Sequence, residues 1–271
     1  MVNNKTQAKP IVMDELVMFG DSITQQAWQA GGTGSFLANQ YQRKLDVVNR
    51  GYSGYNTIWA LQVAKRLYPC QESSGRVFAK KKLVTIWLGA NDAVLQNRPQ
   101  HVEAQQYTAN LKQLIKIFRD HDIATAPGPP TQIILITPPP ISVSLRAADL
   151  ASRFPDWTPA DMDRDVDRTA SFADHVKNLA AEEGLPVLDT WTALTNAAER
   201  SEHGLADYLC DGLHLTPAGY EIISNKLMSI IETQRPDLLP ENLPQDFPPW
   251  KDINPDDPEG SFPPSLKHDE L

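Results

Sequence analysis

Leu16-Val17-Met18-Phe19-Gly20-Asp21-Ser22-Ile23 is the stretch on which the reading of this chain turns. An apolar run that stops at Gly-Asp-Ser predicts a buried strand opening into a helix. In an open α/β sheet that carboxyl end is where ligands collect, and the N–H groups of the next turn point outward. A serine hydroxyl there is placed as a nucleophile would be. The same residues also fit a plain helix start. Ser22-Ile23-Thr24-Gln25 reads as a capping box, with Ser22 satisfying helix N–H groups and Gln25 reaching back. The stretch alone leaves both readings open, and partners elsewhere in the chain must choose between them.

Working outward, apolar runs predict strands at 15–19, 45–49, 83–88, 132–137 and 186–189, each followed by a helical pattern. Tyr107, Leu111, Leu114, Ile115 and Phe118 recur at helical spacing, as do Phe172, Val176 and Leu179; the last helix starts with Thr216 as cap and Pro217 as its first residue. Five such units predict an α/β fold, a three-layer α/β/α sandwich around a five-stranded parallel sheet. No internal repeat is present.

The partners a nucleophilic serine needs lie near the other end. In Leu209-Cys210-Asp211-Gly212-Leu213-His214 a carboxylate stands three residues before an imidazole, close enough for a tight loop to join them. Such a histidine takes the serine proton on one ring nitrogen while the acid fixes the other. Read singly, His214 is also a solvated loop histidine and Asp211 a turn former beside Gly212. Two more strand ends carry donors: Asn49-Arg50-Gly51-Tyr52-Ser53-Gly54 and Leu88-Gly89-Ala90-Asn91-Asp92. A glycine brings its N–H close to a substrate and an asparagine offers an NH₂ group, so Ser22 N–H, Gly54 N–H and Asn91 form a candidate oxyanion hole. Turn chemistry for Gly54 and a helix cap for Asn91 are the bland alternatives.

Gly20-Asp21-Ser22-Ile23, then Gly51 to Gly54, then Gly89-Ala90-Asn91-Asp92, then Asp211-Gly212-Leu213-His214, resemble in order the four sequence blocks of the SGNH (GDSL-type) hydrolases. The nearer likeness is to the isoamyl acetate-hydrolysing esterase branch. It rests on Asn49 to Thr57, Pro138-Pro139-Pro140 and the tail Pro240 to Trp250, and spans about residues 14 to 253. A single block is weak, but four in order on successive strand ends are specific. The resemblance implies a flavodoxin-like strand order and a serine esterase of short-chain, acetate-type esters. By position it implies Ser22 as nucleophile, Gly54 and Asn91 as oxyanion donors with Ser22 N–H, Asp211 as orienter and His214 as base. The choice of Gly54 over Gly51 rests on alignment by eye. Carbohydrate O-deacetylation is the alternative within enzymes, favouring a cleft lined by Trp28 and Trp157; a non-catalytic scaffold whose proline-rich tail recruits partners is the alternative outside them.

Composition agrees with a single enzyme domain. A chain of 271 residues with 41% hydrophobic content can bury a sizeable core, and its net charge of −9 disfavours nucleic-acid or anionic-membrane binding. Lys80-Lys81-Lys82, its compact basic cluster, reads as a solvated strand entry. Two cysteines, Cys70 and Cys210, give neither a disulfide framework nor zinc spacing and read as free thiols. Six scattered histidines show no metal-protease pattern, and no dinucleotide fingerprint or phosphate loop is present, so neither metal nor cofactor is expected. The expected partner is a small-molecule ester, without membrane insertion and with a homodimer plausible.

Segment 139–168 reads as the least regular part of the domain, either walling the substrate pocket or forming an exposed loop that feeds a helix. The hydrolase domain is expected over 1–235. Nine of the 22 prolines fall between 236 and 264, so 236–271 is expected to run extended, anchored by Phe247 and Trp250, with 254–271 disordered. His268-Asp269-Glu270-Leu271 matches an ER-retention tetrapeptide, but Asp14-Glu15 cuts off any apolar leader core after Ile11-Val12-Met13. Cytosolic residence is therefore expected, with the ER lumen as the alternative.

Overall fold

The computed structural model describes residues 12–69, 79–125 and 129–262, with backbone alone at 122–125. Cys70 and the C-terminal tetrapeptide lie outside the described residues.

Five parallel strands form the sheet: β1 (Glu15–Gly20), β2 (Asp46–Gly51), β3 (Lys81–Trp87), β4 (Gln132–Ile136) and β5 (Val187–Leu188), in the order β2-β1-β3-β4-β5. All four neighbouring pairs run parallel. The chain first moves from β1 to one side and then crosses to the other, so the switch point lies at the carboxyl end of β1, where Ser22 follows.

Alternation along β1 sorts the core into two faces. Leu16 and Met18 join the apolar layer that holds Ile23, Leu37, Tyr220, Ile223 and Leu227. Val17 and Phe19 join the opposite layer with Ala60, Leu61, Tyr107, Leu111, Phe118, Phe172 and Val176. The first layer is therefore covered by α1 (Ser22–Gln26), α2 (Thr33–Gln40) and α8 (Pro217–Gln234), the second by α3 (Thr57–Leu67), α4 (Ala104–Thr125) and α6 (Val166–Glu183). Strands buried on both sides must be apolar at nearly every position, which is why β1, β3 and β4 were legible as runs. Thr216 caps α8 by accepting the Gly219 N–H, with Pro217 at the first helical position as expected.

Three local expectations are corrected. Segment 139–168 contains a helix, α5 (Val143–Arg153), started by Ser142, and a 3₁₀ turn at Pro159–Asp161. The lysines at the start of β3 are not a solvated entry: Lys80 and Lys81 are buried, Lys81 donating to Ala79 C=O, while Lys82 pairs with Asp14 at 3.1 Å. The tail does not run extended but folds into short 3₁₀ turns at Pro236–Leu238, Pro240–Asn242, Trp250–Asp252 and Glu259–Ser261. Leu238 is buried, whereas Trp250, expected as an anchor, is 85% exposed. The ring of Phe247 packs on Phe262, and Asn254 N–H bonds Ser261 Oγ, so 254–262 turns back on itself. Between α5 and α8 lies α7 (Thr190–Ala198). Among the described residues no helix is long and apolar enough to cross a membrane.

Candidate active site

Ser22 opens α1 but does not cap it. Asp21 does, its Oδ1 accepting the Ile23 N–H at 3.0 Å, and Gln25 turns away to accept the Ser53 N–H at 2.8 Å. The capping-box reading of Ser22 is thereby replaced, and its hydroxyl is free for another partner. That partner is His214 Nε2, 2.8 Å from Ser22 Oγ across 192 residues of chain. On the other side of the ring, Nδ1 donates to Asp211 Oδ2 at 2.7 Å. With the Nδ1 proton committed to a carboxylate, Nε2 is the acceptor and the serine hydroxyl the donor.

A pinched loop brings Asp211 back to His214. Leu209 and Leu215 pair as an isolated antiparallel bridge, and Cys210 N–H bonds His214 C=O at 2.9 Å, closing the loop between them. Asp211 Oδ1 accepts both the Leu213 and the His214 backbone N–H. Gly212 turns the loop at φ +82°, and a Cβ there would come within 2.4 Å of Arg146 N and 2.5 Å of Ser142 O, so only glycine fits against the start of α5. Burial pushes the Asp211 carboxyl up, but hydrogen bonds from the His214 ring and backbone and from Leu213 prevail and hold it well below the usual range. Arg153 adds a guanidinium 3.6 Å from Asp211 Oδ2.

The other donors come from the strands flanking β1. Gly51, at the end of β2, gives its N–H to Asn49 Oδ1 at 2.8 Å and packs against the Gln25 backbone. Gly54 sits at φ +79°, and its N–H, like that of Ser22, finds no acceptor among the described residues. Gly54 rather than Gly51 therefore has a donor to offer. Asn91, 3% exposed, sits in the turn after β3 and donates from Nδ2 to Tyr55 C=O at 3.0 Å, leaving its second amide hydrogen unassigned. Its Oδ1 faces donors: Arg164 Nη2 at 3.3 Å and Gln100 Nε2 at 3.4 Å. Asn91 caps no helix.

Two buried acids lie beneath these residues. Burial raises Asp21 to about 6, opposed by the Ile23 N–H and by the positive charge of His214 and Arg164. Burial likewise raises Asp92 to about 7 against the hydroxyl and N–H of Thr57, with Asp21 adding repulsion. Among the described residues no group of histidine, cysteine, aspartate and glutamate side chains is arranged to hold a metal ion. Cys210 carries a free thiol.

A cavity of about 580 Å³ opens beside these groups, walled by the loop at Val94 to Gln100 and by α5 and the turn after it, including Arg146, Leu150, Phe154 and Trp157. Its wall residues reach the site directly, since Gln100 bonds Gly54 C=O at 2.7 Å and Arg153 approaches Asp211. Segment 139–168 forms much of this cavity's wall, whose lining includes Gln100 and Arg153 but none of Ser22, Gly54, Asn91, Asp211 and His214. Trp157 lines this cavity but Trp28 does not, so the two tryptophans expected in a carbohydrate cleft are not brought together there.

The structure thus gathers Ser22, Gly54, Asn91, Asp211 and His214 at one sheet edge. Sequence alone missed Gln100 and Arg164. No spacing signal marks either one, because each meets Asn91 across a stretch of chain whose path only the fold supplies.

A family model described as GDSL-like lipase/acylhydrolase matches residues 18–222, which include all five of these positions. A GDSL esterase/lipase of Arabidopsis thaliana is 36% identical, covering 92% of this chain and 97% of its own length. An isoamyl acetate-hydrolyzing esterase 1 homolog of Rattus norvegicus is 34% identical, covering 93% of each. Among solved structures, the lipase/acylhydrolase from Enterococcus faecalis superposes with a TM-score of 0.55 at 22% identity, over 86% of this chain and 98% of that one. At that identity the likeness is one of fold.

Proposed function

This chain belongs to the GDSL-like lipase/acylhydrolase family and is an ester hydrolase, and from that premise we propose that it cleaves short-chain, acetate-type carboxylic esters through a Ser22-His214-Asp211 triad. The observation that carries the reading is the continuous pair of hydrogen bonds, 2.8 Å from Ser22 Oγ to His214 Nε2 and 2.7 Å from His214 Nδ1 to Asp211.

In this reading His214 Nε2 takes the Ser22 proton as Oγ attacks the ester carbonyl carbon. The carbonyl electron pair moves to oxygen, and the oxyanion is held by Ser22 N–H, Gly54 N–H and the Asn91 NH₂. As the C–O bond to the alcohol breaks, the imidazolium returns its proton to the leaving oxygen. The acyl-enzyme is then attacked by water, deprotonated by the same nitrogen, and releases the carboxylic acid with Ser22 restored. Asp211, kept ionised by its hydrogen bonds, stabilises the imidazolium in both halves. No step calls for a metal or cofactor.

The substrate class rests on the relatives and on the pocket. The isoamyl acetate-hydrolyzing homolog aligns over nearly the whole chain, and the neighbouring cavity of about 580 Å³, whose wall mixes Val94, Pro99, Leu150 and Phe154 with charged residues such as Arg98 and Asp163, leaves room for a small alcohol or acyl group. Ser22→Ala is expected to abolish p-nitrophenyl acetate hydrolysis and fluorophosphonate labelling while leaving the circular dichroism spectrum unchanged. An active alanine variant overturns the triad. Rates on isoamyl acetate against those on acetylated sugars then separate the alkyl-ester reading from deacetylation, with the alkyl ester expected to be faster.

A further inference from the structure

We propose that Arg164 and Gln100 form a clamp that sets the sense of the Asn91 side-chain amide, so that its NH₂ end and not its carbonyl faces the oxyanion; this rests on the assignment of Asn91 as an oxyanion donor. A primary amide has two ends of nearly the same shape and opposite polarity. Turned the wrong way, the Asn91 carbonyl would repel the charge it should stabilise. What fixes the sense is an acceptor-only group at the nitrogen, which Tyr55 C=O supplies, together with a donor-only group at the oxygen.

Arg164 is such a group, since a guanidinium carries donors and no acceptor. Its Nη2 meets Asn91 Oδ1 at 3.3 Å, and its Nη1 donates to Ala90 C=O, the residue before. Arg164 is 5% exposed, and a buried cation is costly unless it is paired and hydrogen-bonded. It is held from behind by Asp163, whose Oδ2 lies 3.6 Å from Nε, and Asp163 is in turn gripped by Arg146 through two hydrogen bonds. Gln100 closes the other side. Its Nε2 donates to Gly54 C=O at 2.7 Å and lies 3.4 Å from Asn91 Oδ1, so one side-chain amide touches both glycine and asparagine donors. Its backbone carbonyl is fixed by the Asn56 side chain at 3.0 Å. With the Asn91 oxygen so engaged, its nitrogen meets Tyr55 C=O and keeps one hydrogen for the substrate.

Both are positioning residues, and the test is a thermodynamic cycle on kcat. The variants are Arg164→Met, Arg164→Lys and Gln100→Met, each in the natural chain and in Asn91→Ala, assayed on p-nitrophenyl acetate. Arg164→Met is expected to lower kcat about tenfold to a hundredfold with KM changed less than about threefold, and Arg164→Lys to recover part of the loss. In Asn91→Ala, where no amide remains to be aimed, the same substitution is expected to cost less than about twofold. Gln100 is half-buried and uncharged, so Gln100→Met carries the same cycle if Arg164→Met fails to fold. An equal loss with and without the Asn91 amide overturns the clamp, as does an unchanged kcat in both single variants. If Asn91→Ala alone leaves kcat intact, the oxyanion assignment itself has failed, which the first pair of outcomes does not mimic.

Discussion

Asp92 stands next to Asn91, the proposed oxyanion donor, in an environment that penalises a charge. Oδ1 accepts the Thr57 N–H at 2.9 Å and the Thr57 hydroxyl at 2.5 Å, while Oδ2 is buried with no hydrogen-bond partner among the described residues. Burial raises the group from its ordinary value to about 7. Between about pH 4 and 7 the folded chain therefore holds a proton that the unfolded chain has released, and stability contributed by the protonated form is lost as pH rises through that window. Asp92→Asn keeps the Oδ1 acceptor and cannot ionise. Thermal unfolding at pH 5 and pH 8 is expected to show the natural chain losing ground to Asp92→Asn at the higher pH; a difference that stays constant counts against burial as the cause. Residues of this kind explain what a sequence conceals. Ser22, Asp211 and His214 were legible because the proposed attack, proton transfer and orientation each demand a side-chain type, and the types stand on a strand end or in a tight loop. Gln100 and Arg164 were not, because what brings them to the site is their contact with Asn91 across 9 and 73 residues of chain.

The elements show the same division. Runs such as Leu83 to Trp87 had to be interior strands, since both faces of the sheet are covered and every side chain is buried or nearly so. Helix α5 was hidden among prolines and charges. Its buried Arg146 and Leu150 share one side of the helix at i and i+4, but a charged residue in that apolar stripe broke the pattern, and only the pairing of Arg146 with Asp149 and Asp163 makes its burial tolerable. This helix also holds the Asp211–His214 loop in place. Ser142 N–H bonds Gly212 C=O at 3.0 Å, and Gly212 lies against Arg146 N with no room for a side chain. Gly212→Ala forces a Cβ into backbone at a φ that L residues rarely adopt, so the loop must shift away from α5 and carry His214 with it. The expected result is a lower melting temperature together with a loss of kcat/KM of about a hundredfold. Unfolding followed by circular dichroism and steady-state kinetics check the two parts. A variant that is destabilised yet fully active would separate the loop's support from the histidine's placement.

At the scale of the whole molecule, the proline-rich tail is a second covering for the end of the sheet remote from the chemistry. Prolines supply carbonyls but no N–H, so a segment rich in them must find donors elsewhere. The turn after α2 provides them: Tyr41 Oη donates to Leu238 C=O at 2.9 Å, Arg43 Nη2 to Phe247 and Pro248 C=O at 2.9 Å each, and Lys44 Nζ to Leu243 C=O at 2.9 Å and to Pro240 C=O. Asp246 N–H returns a bond to Arg43 C=O. Composition revealed that the tail could not be helical, but the donors that fold it lie some 200 residues earlier and leave no mark on its own sequence. Residues 41–44 lead into the amino end of β2, whereas Ser22, Gly54 and Asn91 follow the carboxyl ends of β1, β2 and β3. Ending the chain at Arg235 removes Leu238 from the core and leaves the Tyr41 hydroxyl without its acceptor. Losing one buried leucine alone costs about 2–3 kcal/mol, and at roughly 2–4 °C per kcal/mol the melting temperature is expected to fall by about 5 °C or more. At 25 °C the truncated chain, still folded, is expected to keep its kcat/KM on p-nitrophenyl acetate. A folded but inactive truncation would place the tail in the chemistry, against the geometry that sets it at the opposite edge of the sheet.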